Sequence, residues 1–468
     1  MGELPGDWLA SIVTGVPKVS NSSNPAHYRP ISLGSSACKA LETIIRNRIS
    51  SHCKCNNILH PNQFGFRPKR STISQLLCVT HDWTSFLDRN IPVDVLYLDV
   101  AKAFDTVSHN KLLHKIWALG VRGFIFAWIK SYLLNRVQQV RVRGSLSEPA
   151  KVTSGVPQGS VLGPLLFLLY VNDLPEVVCN SVLYLYADDA KLYRPVVDDA
   201  DSVLLQEDID AVFQWAGTNQ LTIASNKSFI LHLGGNNKMR QYFADQLPLS
   251  SRETARDLGV IIDRRLNFAP HVTKLVSQCS TMVNLLFRCF PEAPNKVMVR
   301  LFSAIVRPAL EYASPIWLPS TKELLTLLES VQRKFTRRLD GCGDLSYMER
   351  LVFLSNNTTQ LAPLQHRFIV ADLQLMFQAL CGRLDIKSEF IPTLSYMHHT
   401  RGHCYKLATH RAAKTVGKNF VYCRRTSLWN SLPNLAFDCV SGSLFRQYLD
   451  TNCEGTVARF YTIDALCE

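Results

Sequence analysis

The residues best suited to chemistry are three carboxylates on two apolar stretches. Asp99 falls near the end of Val-Asp-Val-Leu-Tyr-Leu-Asp-Val (93–100), and Asp188 and Asp189 sit side by side in Tyr-Ala-Asp-Asp. Neighbouring residues of a strand point to opposite faces, so Asp188 and Asp189 act together only where a tight turn redirects one of them. Residues 182–194, apolar on both sides of the pair, predict a hairpin with that acidic turn at its tip. Two buried like charges are costly without a counter-charge, and a divalent cation is the usual remedy. With Asp99 as a third ligand the set suits Mg²⁺, which takes a few carboxylates together with substrate phosphates and water. On these residues alone the plainer reading is favoured: a solvent-facing hairpin tip and an unrelated strand-end aspartate.

The elements that must position these groups follow from periodicity. Leu41, Ile44, Ile45 and Ile49 stand at helical spacing within 37–52, which predicts a surface helix over a core. Pro92 bounds 93–100 as a short buried strand, and Leu112, Leu113, Ile116 and Leu119 return to the helical period over 109–119, stopped by Gly120. A strand is expected at 137–142, a Gly/Pro loop at 155–164, an apolar core helix from Pro164 to about Asn172, and a further helix at 201–220. Beyond 270 the pattern is mostly helical, including 296–312 and 323–339, and the second of these ends in Arg333, Lys334, Arg337 and Arg338. A mixed α/β half thus precedes a helical, basic half. The segment 401–425 holds seven Lys/Arg and no acid, and reads either as a solvated face or mobile loop or as a nucleic-acid contact.

At 468 residues the chain can bury a large core without staples. Its 51 Lys+Arg against 38 Asp+Glu leave a net charge of +13 and a pI near 9.1, which favours polyanionic partners, nucleic acid first. Collagen-like, coiled-coil and repeat architectures are excluded by the scatter of Gly and Pro and the lack of any fixed period. The first residues lack the basic flank and apolar core of a secretory signal, and no apolar run approaches the ~18 residues of a membrane span. An intracellular protein, nuclear or cytoplasmic and with no membrane partner, is the expectation. The 14 cysteines then read as reduced thiols, and Cys53 with Cys55 as poor zinc spacing.

In order the chain reads Tyr-Arg-Pro-Ile-Ser-Leu (28–33), Gln-Phe-Gly-Phe-Arg-Pro-Lys-Arg-Ser-Thr (63–72), Tyr-Leu-Asp-Val-Ala-Lys-Ala-Phe-Asp (97–105), Ser-Gly-Val-Pro-Gln-Gly-Ser-Val-Leu-Gly-Pro (154–164) and Tyr-Ala-Asp-Asp (186–189). Asn226-Lys227 and Asp257-Leu-Gly-Val-Ile-Ile-Asp263 follow, then Arg307-Pro-Ala-Leu-Glu-Tyr-Ala-Ser, Val331-Gln-Arg-Lys-Phe and Leu428-Trp-Asn-Ser-Leu-Pro433. The succession resembles the reverse transcriptases of non-LTR (LINE/jockey-type) retrotransposons, over most of the chain. The resemblance implies an α+β right-hand polymerase: fingers at 1–92, a palm with an antiparallel sheet, flanking helices and inserted finger elements at 93–265, a helical thumb at 266–345 and a basic C-terminal region at 346–468. It implies an RNA-directed DNA polymerase, a nucleotidyltransferase that extends a primer 3′-hydroxyl with dNTPs on an RNA template. The alternative is an inactive or co-opted fragment that binds nucleic acid without polymerising.

Carried over by motif, the resemblance makes Asp99 and Asp188 the principal ligands of two Mg²⁺ ions, with Mn²⁺ as a substitute, Asp189 beside them and the Val100 carbonyl as an extra ligand. Phe104 matches the aromatic under the nucleotide sugar, where a ring would collide with a 2′-hydroxyl. Lys18, Arg29 and Arg67 match positions that grip the triphosphate, and Lys227 one that protonates departing pyrophosphate. Gly155, Gln158 and Gly159 match the loop beneath the nascent base pair, Gln158 and Gly159 towards the incoming nucleotide and Gly155 towards the nucleic acid. Arg333, Lys334, Arg337 and Arg338 are expected to contact nucleic acid from the thumb. Relatives usually carry an endonuclease ahead of the polymerase, so a fragment lacking it is the expectation. Residues 356–366 look less like the double-arginine helix of the family.

Overall fold

In the computed structural model of the chain, residues 4–18, 22–357, 361–395, 403–452 and 454–458 are described. The principal strands are β1 (Ala10–Pro17), β2 (Tyr28–Leu33), β3 (Val93–Asp99), β4 (Val137–Val142), β5 (Val182–Tyr186), β6 (Asp189–Pro195), β7 (Phe229–Leu233) and β8 (Ser250–Arg252). The principal helices are α1 (Ser36–Cys55), α2 (Thr72–Asp88), α3 (His109–Ala118), α4 (Gly123–Leu134), α5 (Gly163–Tyr170), α6 (Asp199–Thr218), α7 (Ala269–Cys289), α8 (Lys322–Arg337), α9 (Leu364–Leu380) and α10 (Val421–Asn430). The fold is α+β, as expected. Two compact units emerge, one of the residues up to Ser71 with Asp94–Leu231 and Lys238–Ser251, the other of Thr72–Val93, His232–Asn237 and the chain from Arg252 onward. Helix α2 therefore groups with the later helices, and the segment expected as 1–92 divides after Ser71.

In the first unit β1 pairs antiparallel with β2 and parallel with β4. A second sheet has the order β8-β7-β3-β6-β5, so the strand ending in Asp99 lies beside the strand that begins at Asp189. Strand β3 is buried along both faces at Val93, Val95, Leu96 and Leu98, which is why its sequence reads as an apolar run without alternation. The core against it includes Leu112 and Ile116 of α3, Leu166 and Phe167 of α5, and Leu205 and Ile209 of α6. The predicted all-round apolar helix is α5, buried at every position but Pro164.

One predicted face is corrected. Helix α1 turns Cys38, Glu42, Ile45, Ile49 and Cys53 inward and leaves Ile44 59% exposed. The inward position of an acid is stabilised by hydrogen bonds: the Glu42 carboxylate accepts the backbone N–H of Val161 (2.7 Å) and Leu162 (3.0 Å) at the entry to α5.

In the second unit the helical reading of 296–312 resolves into Asn295–Leu301, a π-turn at Phe302–Val306 and Arg307–Glu311. Phe302 stacks on Phe335 of α8 with ring centroids 4.3 Å apart. The Asp257-Leu-Gly turn and the Glu311-Tyr312 stretch meet in this unit. The Tyr312 hydroxyl bonds the Leu258 carbonyl at 2.8 Å, and a Cβ on Gly259 (φ +93°) would stand 2.9 Å from its ring. Trp429 and Asn430 also act structurally. The Asn430 side chain makes a two-point contact with the Leu407 backbone, accepting its N–H and donating to its carbonyl, while the Trp429 indole N–H donates to the Tyr405 carbonyl.

These bonds decide part of the reading of 401–425, of which 401 and 402 lie outside the described residues. The backbone N–H groups of Ala413 and Lys414 donate to Asp88 at the end of α2, and Arg424 and Arg425 both pair with Asp372, which is fully buried in α9. The described part is a docked segment, and two of its cations neutralise a core acid. Among the described residues no helix is long and apolar enough to cross a membrane.

A buried acid between two guanidinium groups makes a specific stability prediction. Asp372→Leu leaves Arg424 and Arg425 without their counter-charge and should destabilise the helical unit by about 3–5 kcal/mol, read as a lowered denaturant midpoint for its transition. A loss below about 1 kcal/mol would show that solvent already screens the cluster.

Candidate active site

Two residues, Ala187 and Asp188, join β5 to β6, with Tyr186 opposite Asp189 in register. Ala187 takes φ +57°, a left-handed conformation usually left to glycine, and this tightness carries the next residue off the strand path. Asp188 is thereby released from strict alternation. Asp189 returns to it, on the side of β6 that also carries Lys191 and Tyr193, while Ala190 and Leu192 enter the core.

Asp188 feels the charge of Asp99. The Asp188 carboxyl is held above the ordinary carboxylate range, first because surrounding protein strips solvent from it and then because the negative charge of Asp99 lies close by. A hydrogen bond from its own backbone N–H and the positive charge of Arg29 oppose the shift. Asp188 still has exposed surface, so the site is an open acidic corner and not a sealed cavity. Asp99 pairs with Lys227, Oδ2 to Nζ 3.1 Å, in a contact that is 46% and 65% exposed on its two sides. The backbone around Asp99 is fixed by the stretch that carries this lysine. Ala224 N–H donates to the Asp99 carbonyl (2.8 Å), the Asp99 N–H to Ser228 Oγ (3.3 Å), and Val100 bridges to Ile223.

The donor set bears on whether a cation fits. Among the described residues no three His, Cys, Asp or Glu side chains come together as a ready metal cluster. The converging pair is Asp99 with Asp188, two oxygen-donor groups whose mutual repulsion a hard dication would relieve. That pair suits Mg²⁺, which is commonly held by one or two carboxylates and completed by water and substrate phosphates.

Phe104 stacks on Phe167 of α5 (4.5 Å, 18°) and meets Phe66 edge-on at 6.5 Å. One face of its ring is therefore immobilised by the core. The loop beside it is tied to the same segment, since Val156 N–H donates to the Phe104 carbonyl (2.7 Å) and Gly155 N–H to that of Val107 (2.8 Å). Gly155 takes φ +88°, and a Cβ there would stand 2.7 Å from the Asp105 carbonyl oxygen, so only glycine fits. Gly159 takes φ +98° above Ser32. Gln158 donates through Nε2 to Asp105 Oδ1 at 2.9 Å. Asp105 is itself raised by burial, against the Gln158 bond and the charges of Lys102 and Lys18.

The other expected basic groups separate. Arg29 acts on Asp188 and Lys18 on Asp105, whereas Arg67 directs Nη1 to the carbonyls of His60 (2.8 Å), Gln63 (3.3 Å) and Leu59 (3.4 Å). Residues 19–21 of the stretch after Lys18 lie outside the described residues. In the second unit the four cations at the end of α8 and just beyond it differ in burial. Arg333 is half-buried over the Tyr347 ring (5.1 Å), while Lys334, Arg337 and Arg338 are exposed, Arg338 also lying over the Phe287 ring (3.9 Å). Residues 358–360, within the doubtful 356–366 stretch, also lie outside the described residues.

Sequence reasoning passed over two groups that hold this site. Glu42 falls on the buried side of α1, and its place in the Cys38, Ile45, Ile49 row was the available signal. Gln63 carries Oε1 to the Ala187 N–H, and nothing in its spacing announces that.

Comparison with known proteins agrees with the order of these motifs. The family model described as "Reverse transcriptase (RNA-dependent DNA polymerase)" matches residues 16–262, just over half of the chain. A probable RNA-directed DNA polymerase from transposon X-element of Drosophila melanogaster is 31% identical over 354 residues, 72% of this chain and 38% of the relative. The RNA-directed DNA polymerase from mobile element jockey of Drosophila funebris is 31% identical over 333 residues, 67% of this chain and 36% of the relative. A polyprotein from the type-1 retrotransposable element R2 of Popillia japonica is 30% identical over 214 residues, 45% and 29% of the two chains. The chain thus spans under two fifths of the length of these relatives. Among solved structures, an apo telomerase from Candida Tropicalis aligns with TM-score 0.43 at 10% identity, over 75% of this chain and 62% of that one.

Proposed function

Because this chain belongs to the reverse transcriptase family, in its non-LTR retrotransposon branch, we propose that it is an RNA-directed DNA polymerase that adds dNTPs to a primer 3′-hydroxyl on an RNA template. The observation that carries this reading is the meeting of Asp99 and Asp188 at the ends of neighbouring elements, close enough that one raises the other's carboxyl. Bound there, Mg²⁺ would lower the pKa of the attacking hydroxyl and steady the leaving pyrophosphate. Asp99 and Asp188 would hold the cations, with the Val100 carbonyl as a further ligand. Asp189, on the neighbouring strand position, adds negative charge beside them.

Arg29 faces the acidic corner and is the residue best supported for neutralising the triphosphate as charge develops. Lys18 is a second contact for the same group. Arg67, with Nη1 on carbonyls of its own loop, supports that loop first. Lys227 leaves its exposed pair with Asp99 at little cost and donates a proton to departing pyrophosphate. Phe104, pinned against Phe167, gives the sugar pocket a wall that cannot rotate away, while Gln158 and Gly159 form the floor for the incoming nucleotide and Gly155 lets backbone approach nucleic acid. Lys334, Arg337 and Arg338 lie open to nucleic-acid phosphates, while Arg333 rests half-buried on the Tyr347 ring. In this reading 1–92 supplies fingers, 93–265 the palm, 266–345 the thumb and 346–468 a basic extension.

The direct test is DNA synthesis on a primed RNA template with Mg²⁺. Asp188→Asn removes one ligand charge with little change of shape and should lower kcat by about a thousandfold or more while primer–template affinity holds. Equal incorporation by the two proteins would defeat the assignment. Sugar choice gives a separate check. Phe104→Val should reduce the deoxyribo- over ribonucleotide preference in kcat/KM by about tenfold or more, and an unchanged preference with normal dNTP incorporation would reduce Phe104 to a core residue.

A further inference from the structure

The acidic turn is held from outside its own hairpin. Residues 62–65, overlapping the Gln-Phe-Gly-Phe motif (63–66), run beside β5: Leu185 N–H donates to the Asn62 carbonyl (3.0 Å), Phe64 N–H to the Leu185 carbonyl (2.8 Å), and Gln63 bridges in parallel to Leu185. This brings the backbone of Gly65 against the turn so closely that a Cβ there would stand 2.4 Å from the Ala187 nitrogen. Gln63 is fully buried, and its Oε1 accepts two backbone N–H groups, from Gly65 at 2.8 Å and from Ala187 at 3.1 Å.

The amide is oriented by these two donors. Exchanging its oxygen and nitrogen would set an NH₂ group against two N–H groups, so the acceptor end must face the turn. Its other end is less well satisfied. Among the described residues the Gln63 Nε2 has no hydrogen-bond partner although it is buried, an arrangement that ordinarily costs ~1–3 kcal/mol. The Gln63 carbonyl is meanwhile fixed by Arg67 and by Arg70, the latter at 3.0 Å. A side chain that keeps an unsatisfied donor in the core, on an anchored backbone, is there for its acceptor, and that acceptor serves the residue before Asp188.

We propose that Gln63 is a positioning residue of the catalytic corner: by holding the left-handed Ala187 N–H it sets the direction from which Asp188 meets Asp99. The inference rests on the polymerase reading and adds to it a group that touches neither substrate nor cation. Arg67 and Arg70 belong to the same support, because they hold the carbonyl of the residue that holds the turn.

The test compares Gln63→Met, which keeps size and loses the acceptor, with Gln63→Glu, which keeps acceptor oxygens. Amide hydrogen exchange over 185–189 should be slow in the wild-type chain and about tenfold faster in Gln63→Met, the factor carried by one ordinary hydrogen bond. Mn²⁺ affinity, followed by the EPR signal of the free ion, should fall by a similar factor in Gln63→Met, and kcat with it, at unchanged primer–template Kd. Gln63→Glu should restore slow exchange. An Ala187 amide that exchanges freely in the wild-type chain, or a Gln63→Met variant with unaltered exchange and Mn²⁺ affinity, would overturn the proposal. Should Gln63→Met not fold, wild-type and Gln63→Glu exchange decide: slow in both supports it, free in either opposes it. Asp188→Asn, run alongside, separates the two readings. If it too leaves Mn²⁺ affinity unchanged, the metal assignment has failed, and hydrogen exchange alone judges Gln63.

Discussion

Two carboxylates that repel each other must be kept close, and much of the first unit is arranged around that constraint. Asp99 ends a strand buried on both faces, which cannot shift without exposing Leu96 and Leu98. Asp188 sits in a two-residue turn whose first position is strained and is bonded from outside. Neither group could relax away from the other without disturbing backbone that the core fixes. Repulsion held in this way is what a bound dication would relieve, so rigidity around the acids favours the cation site proposed for them.

The same logic extends outward. Phe104 is held by Phe167, and its carbonyl by Val156, so the Phe104 ring and the 155–162 loop are tied together. Glu42 ties the end of that loop to α1. In the second unit the motif residues have a different task. Tyr312 closes over the Gly259 turn, Asn430 and Trp429 hold 405–407, and Asp372 gathers two arginines. What these stretches specify in the structure is packing.

The features legible in the sequence were those with a local signature. The hairpin around Asp188, the strand ending in Asp99 and the all-apolar α5 each announce themselves by composition over a few residues. Helix α2 does not, because residues 74–80 are buried without a break and include Ser74, Gln75 and Thr80, which erases the one-sided stripe that marks a surface helix. The cations at the end of α8 were expected together as nucleic-acid contacts, but a guanidinium can also lie on an aromatic ring, and Arg333 rests half-buried on Tyr347 while Arg338 lies over Phe287 and stays exposed. Gln63 and Glu42 were hidden for a related reason. Their value lies in backbone N–H groups more than 100 residues away, and no period in the sequence encodes such a pairing.

The central claim is that Asp99 and Asp188 together form the cation site, and anomalous scattering tests it most directly. Crystals of the chain with a primed RNA template, a dNTP and Mn²⁺ should show anomalous density bridging the Asp99 and Asp188 carboxylates, with the triphosphate oxygens on the same ions. Density held by Asp188 and Asp189 without Asp99, or lying away from this corner altogether, would contradict the account.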